Sequence, residues 1–235
     1  MTQFTHLSGL PQLQQLTTKE IKGRRHYLLP DGSYVPSVTT VLGFFKSRSL
    51  MEWRTRVGED EAQKITTQAS IRGTKFHTLM EKYLSNEPVK QILTEKVMPN
   101  LHESFHMMKK VLDNNVNNIH YIEAPLYSTI LKTAGRTDVI AEYDGKLSVI
   151  DFKTSRKEKS EKFVIDYFLQ STAYALMHEE LTGTSINQIV ILMASDGIPE
   201  PQIFVKETQE YIQPLIQKFH EYYEINGTVK WETYL

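Results

Sequence analysis

Asp144-Gly145 stands between two β-rich runs, Gly135 to Tyr143 and Lys146 to Phe152. The dipeptide tolerates the positive φ angles of a two-residue hairpin turn, so the two runs are expected to pair as antiparallel strands. What flanks this hairpin restricts the fold further. Upstream, Ile71, Phe76, Leu79, Met80, Tyr83 and Leu84 form an apolar stripe at helical spacing from Ala69 to Leu84. A second helix is expected from Leu101 to Leu112, stopped by the turn cluster Asp113-Asn114-Asn115, followed by a strand from about Tyr121 to Tyr127. Downstream, a long helix from roughly Glu161 to Leu181 closes at Gly183. Gln188 to Ala194 is then a continuous apolar run of the buried-strand kind. A strand near Gln202 to Val205 and a helix from about Thr208 to Ile225 complete the order. The fold class is therefore α/β with a mixed sheet, built on a helix, three strands, a helix and a strand.

The N-terminal part reads differently. Met1 to Leu10 is expected to be a loose arm. Pro30-Asp31-Gly32 lies between the β-prone stretches His26 to Leu29 and Ser33 to Val35, which gives a second hairpin. Ser37 or Thr39 then caps a helix through Val41, Leu42, Phe44 and Phe45. With 235 residues and 40% hydrophobic content the chain can bury one substantial core. We read it as one compact domain, with a peripheral N-terminal arm, hairpin and helical lobe over residues 1–68 and a core with a C-terminal helix over 69–235.

The formal net charge is only −1, but the charges are unevenly spread. Lys19, Lys22, Arg24, Arg25, Lys46, Arg48, Arg54 and Arg56 face only Glu20, Asp31 and Glu52 over the same stretch. Lys153, Arg156, Lys157, Lys159 and Lys162 form a second basic cluster, while Glu207, Glu210, Glu221, Glu224 and Glu232 make the C-terminal part acidic. Such runs also suit an ordinary solvated surface. There is no cysteine, which excludes disulfides, thiolate zinc and iron–sulfur clusters and leaves only oxygen or histidine ligands for a metal. The first ten residues carry no basic charge or apolar run, and no membrane-length apolar stretch follows, so a cytoplasmic location is expected.

Chemistry is concentrated in the central hairpin. Asp151 and Lys153 point to one face of their strand, and Asp138 lies on the partner strand. Two carboxylates and an ammonium in a dry setting call for a compensating cation, and hard carboxylate oxygens suit Mg²⁺ or Mn²⁺. Asp-x-Lys alone equally fits a salt bridge at a strand end. Two helices strengthen the metal reading. Gly73, His77 and Glu81 recur at i, i+4 on one, where His77 can ligate metal and Glu81 can support it, although alone the pair equally fits a partly buried histidine bonded to a glutamate one turn on. Gln170 and Tyr174 do so on the other, within reach of the nucleophile and a substrate phosphate.

Taken together, Gly73, His77 and Glu81, Gly135-Arg136-Thr137-Asp138, Asp151-Phe152-Lys153-Thr154-Ser155 and Gln170-x-x-x-Tyr174 resemble the PD-(D/E)xK nuclease superfamily. The resemblance is to its RecB-like exonuclease branch, with a restriction-endonuclease-like αβββαβ core. It implies that His77, Asp138, Asp151 and the Phe152 backbone carbonyl bind metal and that Lys153 positions the nucleophile, with Glu81, Gln170 and Tyr174 in support. Thr137 stands where the family name has proline. The absent cysteines separate the chain from cluster-bearing members. The segment Tyr34 to Leu42 is more similar to stand-alone exonucleases of the mitochondrial genome-maintenance and bacteriophage type.

The implied activity is Mg²⁺- or Mn²⁺-dependent DNA hydrolysis, preferring single-stranded ends or flaps, in replication, recombination or repair, in a bacterial or phage-infected cell. Alternatives are a structure-specific endonuclease and, in another class, a non-catalytic DNA-binding recombination accessory module. Expected DNA contacts are Arg72, Lys75, Arg136, Thr154, Ser155, Arg156, Lys157, Arg54 and Trp53, with Tyr34, Phe44 and Phe45 as further stacking candidates. Replication or recombination proteins are the expected protein partners.

Overall fold

The computed structural model describes residues 3–94 and 96–227. Of the charges named above, the Arg48 side chain and Glu232 lie outside the described residues. The chain begins with three antiparallel strands, β1 (Thr17–Ile21), β2 (Arg24–Leu28) and β3 (Tyr34–Pro36). Helices α1 (Val38–Phe44), α2 (Ser47–Val57), α3 (Glu59–Leu84), α4 (Val89–Ile92) and α5 (Pro99–Asn115) follow. Then come β4 (Val116–Ser128), β5 (Thr133–Tyr143) and β6 (Lys146–Ser155), a 3₁₀ turn at Glu161–Phe163, α6 (Ile165–Thr182), β7 (Gln188–Ser195), β8 (Gln202–Glu207) and α7 (Gln209–Asn226). The αβββαβ order read from the sequence is present.

The large sheet has strand order β4-β5-β6-β7-β8, with β6 and β7 parallel and the other neighbours antiparallel. Asp144 and Gly145 take φ values of 51° and 74°, the left-handed pair that the hairpin turn requires. Every residue of β7 is buried, as expected for a central strand covered on both faces. One face packs on α1, α6 and α7 through residues such as Ile140, Val149, Phe168 and Phe219. The opposite face packs on α3 and α5 through Val139, Ile150, Phe152, Phe76 and Phe105. Among the described residues no helix is long and apolar enough to cross a membrane.

Several local expectations are corrected. The opening segment is not loose. Phe4 is buried in the core against Tyr83, and Asn86 both accepts from its backbone N–H (2.8 Å) and donates to its carbonyl (2.9 Å). Strand β1 and helix α2 escaped the sequence reading because their apolar pattern is weak: four of the five β1 residues are exposed. Helix α3 starts ten residues before Ala69 and runs through the 68/69 division without a break. Its first turn carries Glu59, Asp60 and Glu61, which favour a helix start electrostatically. Asp113-Asn114-Asn115 does not form a separate turn. The helix continues through Asn115, which bonds to Asp144 of the hairpin turn through both its backbone carbonyl (2.8 Å) and its side-chain amide (2.6 Å). Ser37 does cap α1, accepting from the Thr40 backbone N–H at 3.0 Å, and Gly183 closes α6 in the left-handed conformation.

Candidate functional site

The site forms where β5 and β6 part. Their ladder ends at Val139↔Ile150. Beyond that point β5 stays paired with β4 back to Thr133, and β6 stays paired with β7 out to Ser155. Asp138 and Asp151 are the next residues on the two strands, opposite one another at the mouth of the fork. The Phe152 backbone N–H, which has lost its ladder partner, donates to Asp138 Oδ2 at 2.7 Å. A polar group that would otherwise be stranded thereby fixes the first carboxylate.

Helix α3 supplies His77 to this fork, with Nδ1 3.1 Å from Asp138 Oδ1. The ring lies edge-on to Phe152, which also packs against Phe76, so the apolar core sets the orientation of the imidazole. Lys153 is ion-paired with Asp151. The Asp151 side chain is 2% exposed and that of Lys153 17%, so both charges are largely removed from water. Burial opposes a charge on His77, yet the Asp138 carboxylate outweighs it and the imidazole titrates above its ordinary value. Burial likewise pushes Asp138 upward, but the His77 bond and charge, the Lys153 ammonium and the Phe152 N–H bring it below the usual carboxylate range. Asp151 goes the other way: burial raises it to about 6 against the pull of Lys153, and the neighbouring Asp138 charge adds to the rise. For Lys153 burial is overcome by Asp151 and Asp138, so it stays an ammonium.

Helix α6 closes the site from the other face. Gln170 Nε2 lies 3.5 Å from Asp151 Oδ1 and 3.4 Å from the Tyr174 hydroxyl, linking the two. Tyr174 is buried against Gly135. A Cβ at that position would stand 2.7 Å from the ring and 2.8 Å from the hydroxyl oxygen, so only glycine leaves the phenol its place. This gives Gly135 in the Gly-Arg-Thr-Asp run a physical reason.

The donor set suits a divalent cation of the hard, oxygen-preferring kind. Asp151 Oδ2 is taken by the Lys153 ammonium, and its other oxygen has only the long Gln170 contact. A buried carboxylate with one oxygen so weakly engaged, beside a second carboxylate, would be stabilised by a cation between them. Asp138, Asp151, His77 and the Phe152 carbonyl are the residues that would hold it. In this structure His77 and Asp138 engage each other and Asp151 engages Lys153; among the described residues no three acidic or histidine side chains are gathered at ligand spacing.

The remaining expected residues fall into two groups. Glu81, Lys75, Arg136, Arg156 and Lys157 are exposed, and Thr154 is half-buried beyond Lys153. Arg136 reaches Gln15 at 3.1 Å, and Arg156 reaches Gln68 at 3.2 Å. Other side chains are already committed within the fold. Arg72 is 13% exposed and paired with Asp196, Arg54 is paired with Glu59, and the Ser155 hydroxyl donates to the Lys157 carbonyl at 2.7 Å. Trp53 is half-buried on α2, and Phe44 packs edge-on against Phe45 and Tyr222. The Thr137 hydroxyl is buried without a partner, and nothing in the structure explains it.

Glu123 escaped the sequence reading. It stands between Ile122↔Val139 and Ala124↔Thr137, hence opposite Asp138, in a left-handed conformation at φ 52°. Burial raises its carboxyl above the ordinary range, and the charges of Asp138 and Glu81 raise it further. The available signal was a lone carboxylate in the apolar middle of a strand, between Ile122 and Ala124. Away from the fork, a cavity of about 450 Å³ lies between the N-terminal sheet and α7. Lys22, Arg24, His26, Tyr34 and Lys132 line it, and among the described residues no carboxylate does.

A forked mixed sheet with Asp138 and Asp151-x-Lys153 at its mouth, flanked by α3 and α6, defines a class of protein. The profile of the PD-(D/E)XK nuclease superfamily matches residues 47–226, and the chain belongs to that superfamily. The match begins with α2 and ends with α7, leaving the N-terminal sheet and α1 outside it. Among individual proteins, the chain is similar to human mitochondrial genome maintenance exonuclease 1. It is 28% identical over 208 residues, covering 81% of this chain and 58% of the human protein. The mouse protein of the same name is 28% identical over 204 residues, covering 81% of this chain and 59% of its own length. The chain thus spans less than two thirds of the length of these relatives.

Proposed function

We propose that this chain is a Mg²⁺- or Mn²⁺-dependent DNA exonuclease that hydrolyses phosphodiester bonds at single-stranded ends or flaps in replication, recombination or repair. The observation that carries this reading is the pair of carboxylates at the strand fork with Lys153 against one and His77 against the other. The relatives' names, exonuclease and genome maintenance, support the end preference and the setting.

Asp138, Asp151, His77 and the Phe152 carbonyl would hold the cation, which would supply polarisation of the phosphoryl oxygens and a more acidic water. Hydrolysis adds water across one P–O bond, the hydroxyl going to phosphorus and the proton to the leaving oxygen. Lys153 offers an ammonium where negative charge grows on the phosphoryl group. Gln170 orients Asp151, and Tyr174, seated on Gly135, fixes Gln170. Lys75, Arg136, Arg156 and Lys157 supply exposed charge for the strand around this centre. The lobe over residues 1–68, with its cationic cavity, contacts nucleic acid further out.

The test is digestion of end-labelled single-stranded, duplex, flap and closed circular DNA with Mg²⁺ or Mn²⁺, beside Lys153→Ala. Loss of labelled ends from linear single strands, with circles left whole and Lys153→Ala inactive, is the expected result. Cut circles would make the chain an endonuclease. DNA binding without cleavage under any metal would leave an accessory module.

A further inference from the structure

Three ammonium groups converge on one aromatic ring beside the fork. Lys153 Nζ lies 5.0 Å, Lys159 Nζ 5.2 Å and Lys46 Nζ 6.0 Å from the ring centre of Tyr167. Tyr167 sits on α6 three residues before Gln170 and so shares the face that looks into the site. These lysines come from three places in the chain: the junction of α1 and α2, strand β6, and the segment between β6 and α6.

Like charges gathered in this way repel one another, and their positions are held. Gln202 clamps the Lys159 backbone, accepting its N–H at 2.8 Å and donating to its carbonyl at 2.9 Å. The Lys159 ammonium then donates to the Tyr167 hydroxyl at 3.1 Å. Compensation is incomplete. Lys153 has Asp151 and Lys46 has Asp166 at 2.7 Å, but among the described residues no carboxylate pairs with Lys159. A fixed cationic cluster over an aromatic face, one charge short of balance, is a receptor for an oxyanion.

We propose that Lys159, Lys46 and Tyr167 form a second phosphate subsite, which seats an internal phosphodiester of the nucleic-acid strand next to the bond presented to Lys153. The inference rests on the nuclease reading, since it takes Lys153 as the marker of the reacting phosphate. An internal phosphodiester is favoured over a terminal phosphate because Lys153 and Lys159 share one ring: a strand crossing the first ammonium passes the second. Tyr167 is the platform that holds the three lysines in place.

The experiment is equilibrium binding of a fluorescent single-stranded oligonucleotide to the whole chain, in chelator, across a salt series. Cleavage is then not required. Lys159→Gln is expected to weaken binding several-fold and to lower the slope of log affinity against log salt by about 0.7, the share of one phosphate contact on a single strand. Lys159→Arg is expected to restore both, and Lys90→Gln, an exposed lysine on α4, to change neither. Tyr167→Leu, with an unchanged melting temperature as the check on folding, is expected to lose as much as Lys159→Gln.

Oligonucleotides with and without a 5′ phosphate, and with and without a 3′ phosphate, separate the sources of the oxyanion. The Lys159→Gln loss should be equal in all of them. A loss confined to one phosphorylated end overturns the internal assignment, and wild-type affinity and slope in Lys159→Gln overturn the subsite itself. A wild-type chain that binds no oligonucleotide overturns the nuclease reading and the subsite together.

Discussion

Asp138, Asp151 and Lys153 at the strand fork are charged groups taken largely out of water, whereas Lys19, Lys22, Arg24 and Lys132 around the N-terminal sheet are left in it. At the fork each charge is answered by another. His77 faces Asp138, and Lys153 faces Asp151. Around the cavity beside the N-terminal sheet the cations meet aromatic rings instead, Lys19 over Tyr34 and Arg24 over Phe44. In a low dielectric a misplaced charge costs several kcal/mol, while in water it costs a fraction of one. The fork is therefore suited to shaping a reaction and the lobe to gathering a polyanion. Changes at the first should show in rate and stability, and changes at the second in affinity and its salt dependence.

The sharpest break comes from Lys153→Ala. On the proposed reading it removes the ammonium that faces the reacting phosphate, and we expect single-turnover cleavage to fall by about 10³-fold. It also leaves Asp151 buried without its cation, which should destabilise the metal-free chain by about 3 kcal/mol near neutral pH. Lys153 pulls the Asp151 carboxyl down, so without it Asp151 is raised further than in the wild type, and the loss should be smallest below about pH 6 and grow as pH rises above it. Urea unfolding at two pH values measures this directly. A variant that cleaves at the wild-type rate would remove Lys153 from the chemistry.

Gly135→Ala tests whether the fork is positioned through α6. The new methyl would stand 2.7 Å from the Tyr174 ring, so the phenol must move and Gln170 with it. We expect a stability loss of about 1–3 kcal/mol and a fall in cleavage rate of up to about 10²-fold, the scale of a small misplacement near reacting groups. Tyr174→Phe keeps the ring and should cost less on both counts. Unaltered cleavage by Gly135→Ala would show that the chain from Tyr174 through Gln170 to Asp151 positions nothing.

Proton linkage separates the two carboxylates. Asp151 is raised from 3.8 to about 6 by burial, so between those values the folded metal-free chain keeps a proton that the unfolded chain has released. Its contribution is complete below about pH 4 and lost as pH rises through about 6. Asp138 has the opposite sign: held below its ordinary value, it stabilises above 3.8 and stops doing so as pH falls through its folded value. In chelator, Asp151→Asn should therefore gain on wild type in melting temperature from about pH 4 to about pH 6. A constant difference across that range would mean that Asp151 is not raised.

How much of this was legible in the sequence follows from the same contrast. The fork could be read because its parts are local and periodic. Asp144-Gly145 fixes the turn, the spacing of Asp151 and Lys153 puts both on one face, and the i, i+4 pairs on α3 and α6 point to a common centre. Glu123 could not be read in this way, because its place depends on the register of β4 and on a left-handed residue within a strand. Nor could the fates of Arg72 and Arg54, whose partners Asp196 and Glu59 are set by tertiary packing in one case and by a helix junction in the other. The N-terminal arm was missed for a similar reason: Phe4 is anchored by Asn86, 82 residues away. Burial and pairing of charge are tertiary facts, so the lobe's contribution was visible only as composition.

The smallest expected effects lie in that lobe. Lys22 and Lys132 line the cavity with φ values of 51° and 50°, a conformation that asparagine tolerates better than most residues, so Lys22→Asn and Lys132→Asn remove charge without forcing the backbone. Both lysines are exposed, and stability should stay within about 0.5 kcal/mol of wild type. If a single strand crosses the cavity, each change should lower the salt slope of binding by about 0.7 and weaken affinity a few-fold at fixed salt. Carrying both changes should roughly double the loss in slope, because distant phosphate contacts act independently. Unchanged slopes would take the strand off the N-terminal sheet and leave the exposed cations around the fork, Lys75, Arg136, Arg156 and Lys157, to hold it alone. The two regions would then differ in chemistry without sharing a substrate.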